Sequence, residues 1–337
     1  MEQQILEFLR NFSSIIWEAF PFIVLGAVIS GILEEIVPQQ AITRFIPKNK
    51  ILAVSLGCLL GLVFPMCECG IVPVMRRLLR KGLPLGTCIA YMMAGPIINV
   101  VVIGSTLIAF GPHNLALPVT GLRVGLGFIV ALITGLLVNR MYKKHGNSLL
   151  APLARPHQDA GTSAKAGEEA ANQPSSQNRS LMTRLGNISE TALHDFKDIM
   201  VFLMLGSIIA SLSKFWISPA QLKDLSSNYP SLSIVSMMGL AILMCLCSEA
   251  DAFVAASFKT LHLSAKIAFL VLGPMFDLKL LMMFTRVFRK KLIILIVLSA
   301  VVQVYIYSMI VEFLDTSHPT LFVDKVEDNS SADDFKE

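Results

Sequence analysis

The sequence predicts an all-α polytopic membrane protein of about ten membrane segments, arranged as two five-segment repeats of inverted topology with broken helices at Cys-x-Cys and Gly-Pro. Three observations predict it: a deficit of charge, apolar runs of bilayer length, and a motif pattern that recurs at one constant offset. Of 337 residues, 54% are hydrophobic and 15% charged, against about 25% charged in an ordinary soluble domain. A soluble protein of this length needs more charge to cover its surface. The net charge of +4 comes from short basic clusters between apolar runs. Such clusters are topogenic charge rather than a nucleic-acid surface. The expected surroundings are a lipid bilayer, and no nucleic-acid partner is expected.

Apolar runs close to the roughly 20 residues of a spanning helix lie at about 13–33, 51–66, 85–110, 116–138, 196–217, 231–247, 264–285 and 292–312. Two shorter segments, 68–81 and 250–262, fall between them. They read as short tilted spans or as re-entrant pieces buried in protein. The stretch 141–195 contains HQDAGTSAKAGEEAANQPSSQNRS, has no apolar period, and reads as a flexible cytoplasmic linker. This gives a first membrane repeat at 1–140, the linker at 141–195, a second repeat at 196–314, and an acidic disordered tail at 315–337.

The repeat is read by setting 67–102 over 245–280 without a gap. Cys67 falls on Cys245, Cys69 on Cys247, Gly95-Pro96 on Gly273-Pro274, and Asn99 on Asp277. Two Cys-x-Cys and two Gly-Pro pairs at one offset indicate duplication. Basic residues then orient the halves. Arg76, Arg77, Arg80 and Lys81 follow the first short segment, whereas only Lys259 follows its counterpart. The loop 111–117 has no Lys or Arg, whereas its counterpart carries Arg286, Arg289, Lys290 and Lys291. The bias changes sides between equivalent loops, as inverted halves require when positive loops stay cytoplasmic. That requires an odd number of crossings per half, so the short segments count as spans, with both termini outside. The competing arrangement has eight spans, two re-entrant segments and parallel halves. Inverted repeats place a transport site at their interface near the midplane.

The candidate site residues follow from the duplicated motifs. In a continuous helix Cys67 and Cys69 point to nearly opposite faces. Pro65, Gly70 and Pro73 surround the triplet Cys67-Glu68-Cys69, so a broken segment that turns both sulfurs to one cavity is expected. The second half offers Cys245, Cys247, Ser248, Glu249 and Asp251. Carboxylates inside a membrane mark an ion path or substrate site, unless Glu68, Glu249 and Asp251 sit at segment ends facing water. Cys67, Cys69, Cys245 and Cys247 form a candidate metal-ligand set, while the unpaired Cys58 and Cys88 read as core. All six cysteines lie in or beside apolar runs, which excludes a secreted disulfide framework. Gly95, Pro96, Gly273 and Pro274 read as paired hinges, with Asn99 and Asp277 beside a solute pathway. Lys279, Glu18 and Arg123 also lie within spans, without assignable partners.

The segments CECGIVPVMRRLLRKGLPLGTCIAYMMAGPIINVVV, CSEADAFVAASF and GPMFD resemble the bacterial predicted-permease family that includes the organoarsenical efflux permease ArsP, and within it a branch of uncharacterised Gram-positive permeases. The resemblance covers 15–138 and 196–312. It implies a multi-pass permease of the bacterial plasma membrane, export of trivalent organoarsenicals for some relatives, and an accessory permease subunit encoded separately. Thiolates prefer soft acceptors, so a soft metal ion or a trivalent arsenical suits paired cysteines. No Walker P-loop is present, so transport is expected to be secondary or driven by a partner, with no enzymatic activity and no cofactor. Two alternatives stand beside this reading. One is a carboxylate-dependent ion or polar-solute transporter with structural cysteines. The other is a membrane thiol oxidoreductase cycling a dithiol.

Overall fold

The computed structural model describes residues 2–36, 47, 49–64, 66–111, 115–146, 181–216, 230–258 and 261–317. Every helix in the described residues of the first half has a counterpart in the second. The first half comprises α1 (Glu2–Ile36), α2 (Lys50–Val63), α3 (Glu68–Arg80), α4 (Leu85–Ala94), α5 (Val100–Phe110) and α6 (Ala116–His145). The second comprises α7 (Leu181–Trp216), α8 (Pro230–Met244), α9 (Ala250–Ser257), α10 (Leu263–Met275), α11 (Leu278–Val287) and α12 (Lys290–Ser317). The stretches Phe8–Leu33, Ala116–Lys144, Leu263–Thr285 and Lys290–Ser317 are long and apolar enough to cross a membrane. Shorter apolar helices accompany them at Lys50–Val63, Leu85–Ala94, Val100–Phe110 and Ser231–Met244. Large apolar side chains such as Leu59, Val63, Ile108, Leu117, Leu298 and Phe313 face outward, as a lipid-contacting surface requires. The chain is a helical membrane protein.

Caps explain where the helices begin. The Asn49 side chain accepts a hydrogen bond from the Ile51 amide at 3.2 Å and opens α2. Asn99 accepts from the Val101 amide at 3.0 Å and opens α5. Asp277 accepts from the Leu280 amide at 2.6 Å and opens α11. Each satisfies one of the amides that a helix start leaves without an intrahelical partner. That matters most in lipid, where water cannot replace it.

The helix bounds differ from the sequence reading at three places. Residues 141–145 and 181–195, assigned to the linker, belong to α6 and α7. A helix already nucleated in the membrane propagates outward at little cost even where its sequence turns polar. Around Gly95-Pro96 the span is interrupted outright, because α4 ends at Ala94 and α5 begins at Val100. Gly273-Pro274 instead lies in the last turn of α10, and the break falls at 276–277. Finally, α3 and α9 have 13 and 8 residues. They rise about 20 and 12 Å, so each alone covers only part of a hydrocarbon core of about 30 Å. Of the tail at 315–337, residues up to Ser317 extend α12, and the remainder lies outside the described residues.

The halves pack in a crossed manner. Equivalent helices meet across the interface: α1 lies on α7, α4 on α10, and α6 on α12. The first half's α3 also touches the second half's α11, and the second half's α9 touches the first half's α5. Glycines set the close approaches. A Cβ on Gly26 of α1 would sit 2.7 Å from the Gly70 Cα of α3. One on Gly206 of α7 would sit 2.6 Å from the Lys279 Cα of α11. Small residues let backbones approach in this way where helices pack in a membrane.

Candidate thiol and carboxylate site

The site forms where α3 and α9 begin. Cys67 is the N-cap of α3, and its carbonyl accepts from the Ile71 amide at 3.3 Å. The Cys247 carbonyl accepts from the amides of both Ala250 and Asp251 at 3.0 Å and so opens α9. Cys67 and Cys247 thus match in hydrogen bonding, each carbonyl accepting from the amide four residues on, although Glu249 stands directly before α9 and the gapless repeat sets Cys247 against Cys69. The two-residue slip has a cause in the chain. In the first half Pro65 follows closely on the end of α2 at Val63. At the equivalent position stands Leu243, and α8 runs on to Met244. Proline cannot continue a helix, and it restrains the residue before it.

The slip brings the Cys67 and Cys247 thiols and the Glu68 carboxylate together, with ligand atoms all within 4.8 Å of one another. All three residues are buried, at 0%, 3% and 1% exposure. Among the described residues this is the group able to hold a metal ion. Cys69, also buried, sits against Cys67.

Cys245 behaves differently. Its φ of +49° makes it the one non-glycine with positive φ among the described residues, a strained conformation for an L-residue with a side chain. Its thiol turns back to the Ile242 carbonyl at 3.4 Å and packs on Leu278. Its carbonyl, not its sulfur, faces the site and accepts from Lys279 Nζ at 3.3 Å. The four-cysteine ligand set read from the sequence is therefore not assembled. Cys58 and Cys88 are buried away from the cluster, as core.

Lys279, set aside in the sequence for want of a partner, lies at the centre. Its ammonium is 2.9 Å from Glu68 Oε1 and 3.3 Å from Asp277 Oδ2. Lys279, Glu68 and Asp277 are each 1–2% exposed. The Glu68 contact is an ion pair without hydrogen-bond alignment, and neither Glu68 oxygen receives an aligned hydrogen bond. Asn99 and Asp277 serve first as helix caps. Only Asp277, through its second oxygen, also faces the charged cluster.

A second buried group forms around Asp251 of α9. Arg123 of α6 donates to both Asp251 oxygens at 2.8 and 2.9 Å, to the Ser248 carbonyl at 2.9 Å and to Thr106 at 2.8 Å. Asp251 and the Ser248 backbone are thereby engaged by protein. Glu249 is half-buried between the two groups along the chain. Of the paired hinge candidates, Gly95 is tightly enclosed: a Cβ on Gly61 would lie 2.7 Å from its Cα. Gly273 has ordinary clearance, with the Ala241 Cβ at 3.7 Å. Glu18, the other charged residue noted within a span, lies in α1. Sequence reasoning missed Asp195 of α7. It is buried, binds Arg77 of α3 at 3.2 Å and accepts from the Ser30 hydroxyl of α1 at 2.7 Å.

Known proteins place the chain. The family model described as "Predicted permease" matches residues 4–313. The protein named "UPF0718 protein YcgR" of Bacillus subtilis is 39% identical over 302 residues, covering 89% of this chain and 95% of the relative. The Streptococcus mutans protein named "Putative two-component membrane permease complex subunit" is 33% identical over 312 residues, covering 92% and 97%. "UPF0718 protein MJ0584" of Methanocaldococcus jannaschii is 24% identical over 137 residues, covering 41% and 37%. No solved structure matches. With helices, buried charge and matched residues in agreement, the chain belongs to the predicted-permease family.

Proposed function

We propose that this permease moves a soft metal ion or a trivalent arsenical across the bacterial plasma membrane, holding it between Cys67 of one half and Cys247 of the other, with Glu68 as a third ligand. The observation that carries the proposal is the gathering of two thiols and one carboxylate from opposite halves at one buried point. Soft acceptors select thiolate over oxygen ligands. A dication taking both thiols displaces their two protons, so binding itself supplies a proton exchange.

The crossed packing of α3 on α11 and of α9 on α5 supports a site between inverted repeats, where rocking of one half against the other changes access. On this reading the irregular stretches before α3 and α9 complete the crossings that those helices leave short. The name of the Streptococcus mutans relative supports a separately encoded partner subunit here as well. The carboxylate-dependent reading is the weaker one, because Asp251 is held by Arg123 and Asp277 caps α11. The oxidoreductase reading is weaker still, since family membership favours a transporter over an enzyme.

The test is resistance or uptake in a deletion strain complemented with single variants, across a panel of soft metals and arsenicals. Cys67→Ser and Cys247→Ser abolish the phenotype while the protein still inserts, and Cys58→Ser and Cys88→Ser keep it. Normal transport in both of the first pair rejects the thiol role.

A further inference from the structure

We infer that the Lys279 ammonium is a tethered counter-cation, which neutralises Glu68 when the site carries no cargo and yields Glu68 to a cationic cargo when one binds. The inference rests on the site proposed above and adds how that site is occupied between turnovers.

Three observations carry it. First, the position is a poor one for a cation on local grounds. Lys279 is the second residue of α11, where the helix field disfavours positive charge, and it is 2% exposed. Its buried carboxylate neighbours, not its helix, account for its charge. Second, one ammonium faces two carboxylates, Glu68 at 2.9 Å and Asp277 at 3.3 Å. Asp277 is fixed by its cap to the Leu280 amide, and the Cys245 carbonyl lies 3.3 Å from the same nitrogen. If Glu68 is taken by another cation, Lys279 keeps Asp277 and the carbonyl. A lysine suits this exchange, being a point charge on a flexible stem with rotatable donors. Third, neither Glu68 oxygen receives an aligned hydrogen bond, so no hydrogen bond has to be broken for the carboxylate to take a further ligand, and it shares its space with the Cys67 and Cys247 thiols.

The charges balance in both states. Without cargo the thiols keep their protons, and Glu68, Asp277 and Lys279 leave one net negative charge. With a divalent soft ion, two thiolates match its charge and two protons leave, so the same single negative charge remains. The site then changes access, loaded or unloaded, without altering its buried charge. Without Lys279 both states carry one further negative charge, but only the unloaded site leaves Glu68 as well as Asp277 without a cation, whereas in the loaded site Glu68 keeps the ion, so the unloaded site is the costlier one to move through the membrane interior.

The experiment uses the full-length protein in liposomes with Cd2+ as the probe, and reads three quantities: the Kd for Cd2+, net Cd2+ flux, and exchange of isotopic Cd2+ for unlabelled Cd2+. Lys279→Gln removes a like charge beside the ion, so Cd2+ binds about tenfold more tightly. Net flux falls at least as much, because the unloaded site no longer returns, while Cd2+-for-Cd2+ exchange persists. Lys279→Arg is a second variant that keeps the charge and guards against misfolding of the first. Its fixed fork holds Glu68 more firmly, and it binds Cd2+ more weakly than the wild type. Unchanged or weaker binding in Lys279→Gln, with net flux and exchange falling together, overturns the inference. Cys67→Ser and Cys247→Ser separate this from failure of the thiol site. If both bind Cd2+ as the wild type does while Lys279→Gln still tightens binding, the thiol ligands are rejected and the counter-cation stands on Glu68. If the thiol variants lose binding and Lys279→Gln does not tighten it, the counter-cation is rejected and the thiol site stands.

Discussion

Arg123 of the first half and Asp251 of the second form an ion pair in which one guanidinium nitrogen, Nη2, donates to both carboxylate oxygens at 2.8 and 2.9 Å, with both side chains buried. The pair fixes the start of α9 to α5 and α6, because Arg123 also holds Thr106 and the Ser248 carbonyl. Removing one partner leaves an uncompensated buried charge, at a cost of about 3–5 kcal/mol. Asp251→Ala and Arg123→Ala each lower thermal stability in detergent by that order. The double variant recovers part of the loss, since it leaves neither charge alone. Additive losses would contradict the pairing.

The Asp195 cluster makes an independent prediction. Ser30 of α1 donates to Asp195 at 2.7 Å, and Arg77 of α3 pairs with it at 3.2 Å. Ser30→Ala costs about 2 kcal/mol, as for a buried hydrogen bond to a charged acceptor. Asp195→Asn costs more, because it strips the charge facing Arg77. Denaturation of purified variants reads both, and a Ser30→Ala protein as stable as the wild type would contradict the assignment.

Gly206 sets the position of Lys279. A Cβ there would lie 2.6 Å from the Lys279 Cα, a backbone atom that cannot give way cheaply. Gly206→Ala therefore shifts the start of α11 and reduces transport, whereas Gly121→Ala, with nothing within 4 Å, leaves it unchanged. Equal transport in the two variants would show that the close approach does not bear on the site.

The inverted arrangement is tested by labelling. Gly111→Cys and Lys290→Cys lie in equivalent inter-helix regions and are exposed. In a background that keeps activity, a membrane-impermeant thiol reagent reaches them from opposite faces. Labelling of both from one face would establish parallel halves.

The membrane class was legible because it leaves a residue-level trace: a span needs an apolar run whatever its neighbours. The choice of thiols was less legible, because it turns on where each helix starts. Pro65 against Leu243 was the available sequence signal: α2 ends at Val63, α8 continues to Met244, and Cys247 rather than Cys245 comes to match Cys67. Lys279 and Arg123 were noticed as charges within spans, but their partners lie in the opposite half, and no local pattern pairs residues across an interface. Asp195 was hidden for another reason. It lies on the polar extension of α7, where hydropathy stops but the helix does not.

The central claim is that Cys67 and Cys247 bind one ion together. It is tested most directly by the thiolate-to-metal charge-transfer absorption of purified protein titrated with Cd2+. The account predicts an absorption that saturates in the wild type, falls sharply in Cys67→Ser and in Cys247→Ser, and persists in Cys245→Ser, whose sulfur turns away toward Ile242. An absorption that survives both Cys67→Ser and Cys247→Ser, or one that is lost in Cys245→Ser alone, would contradict it.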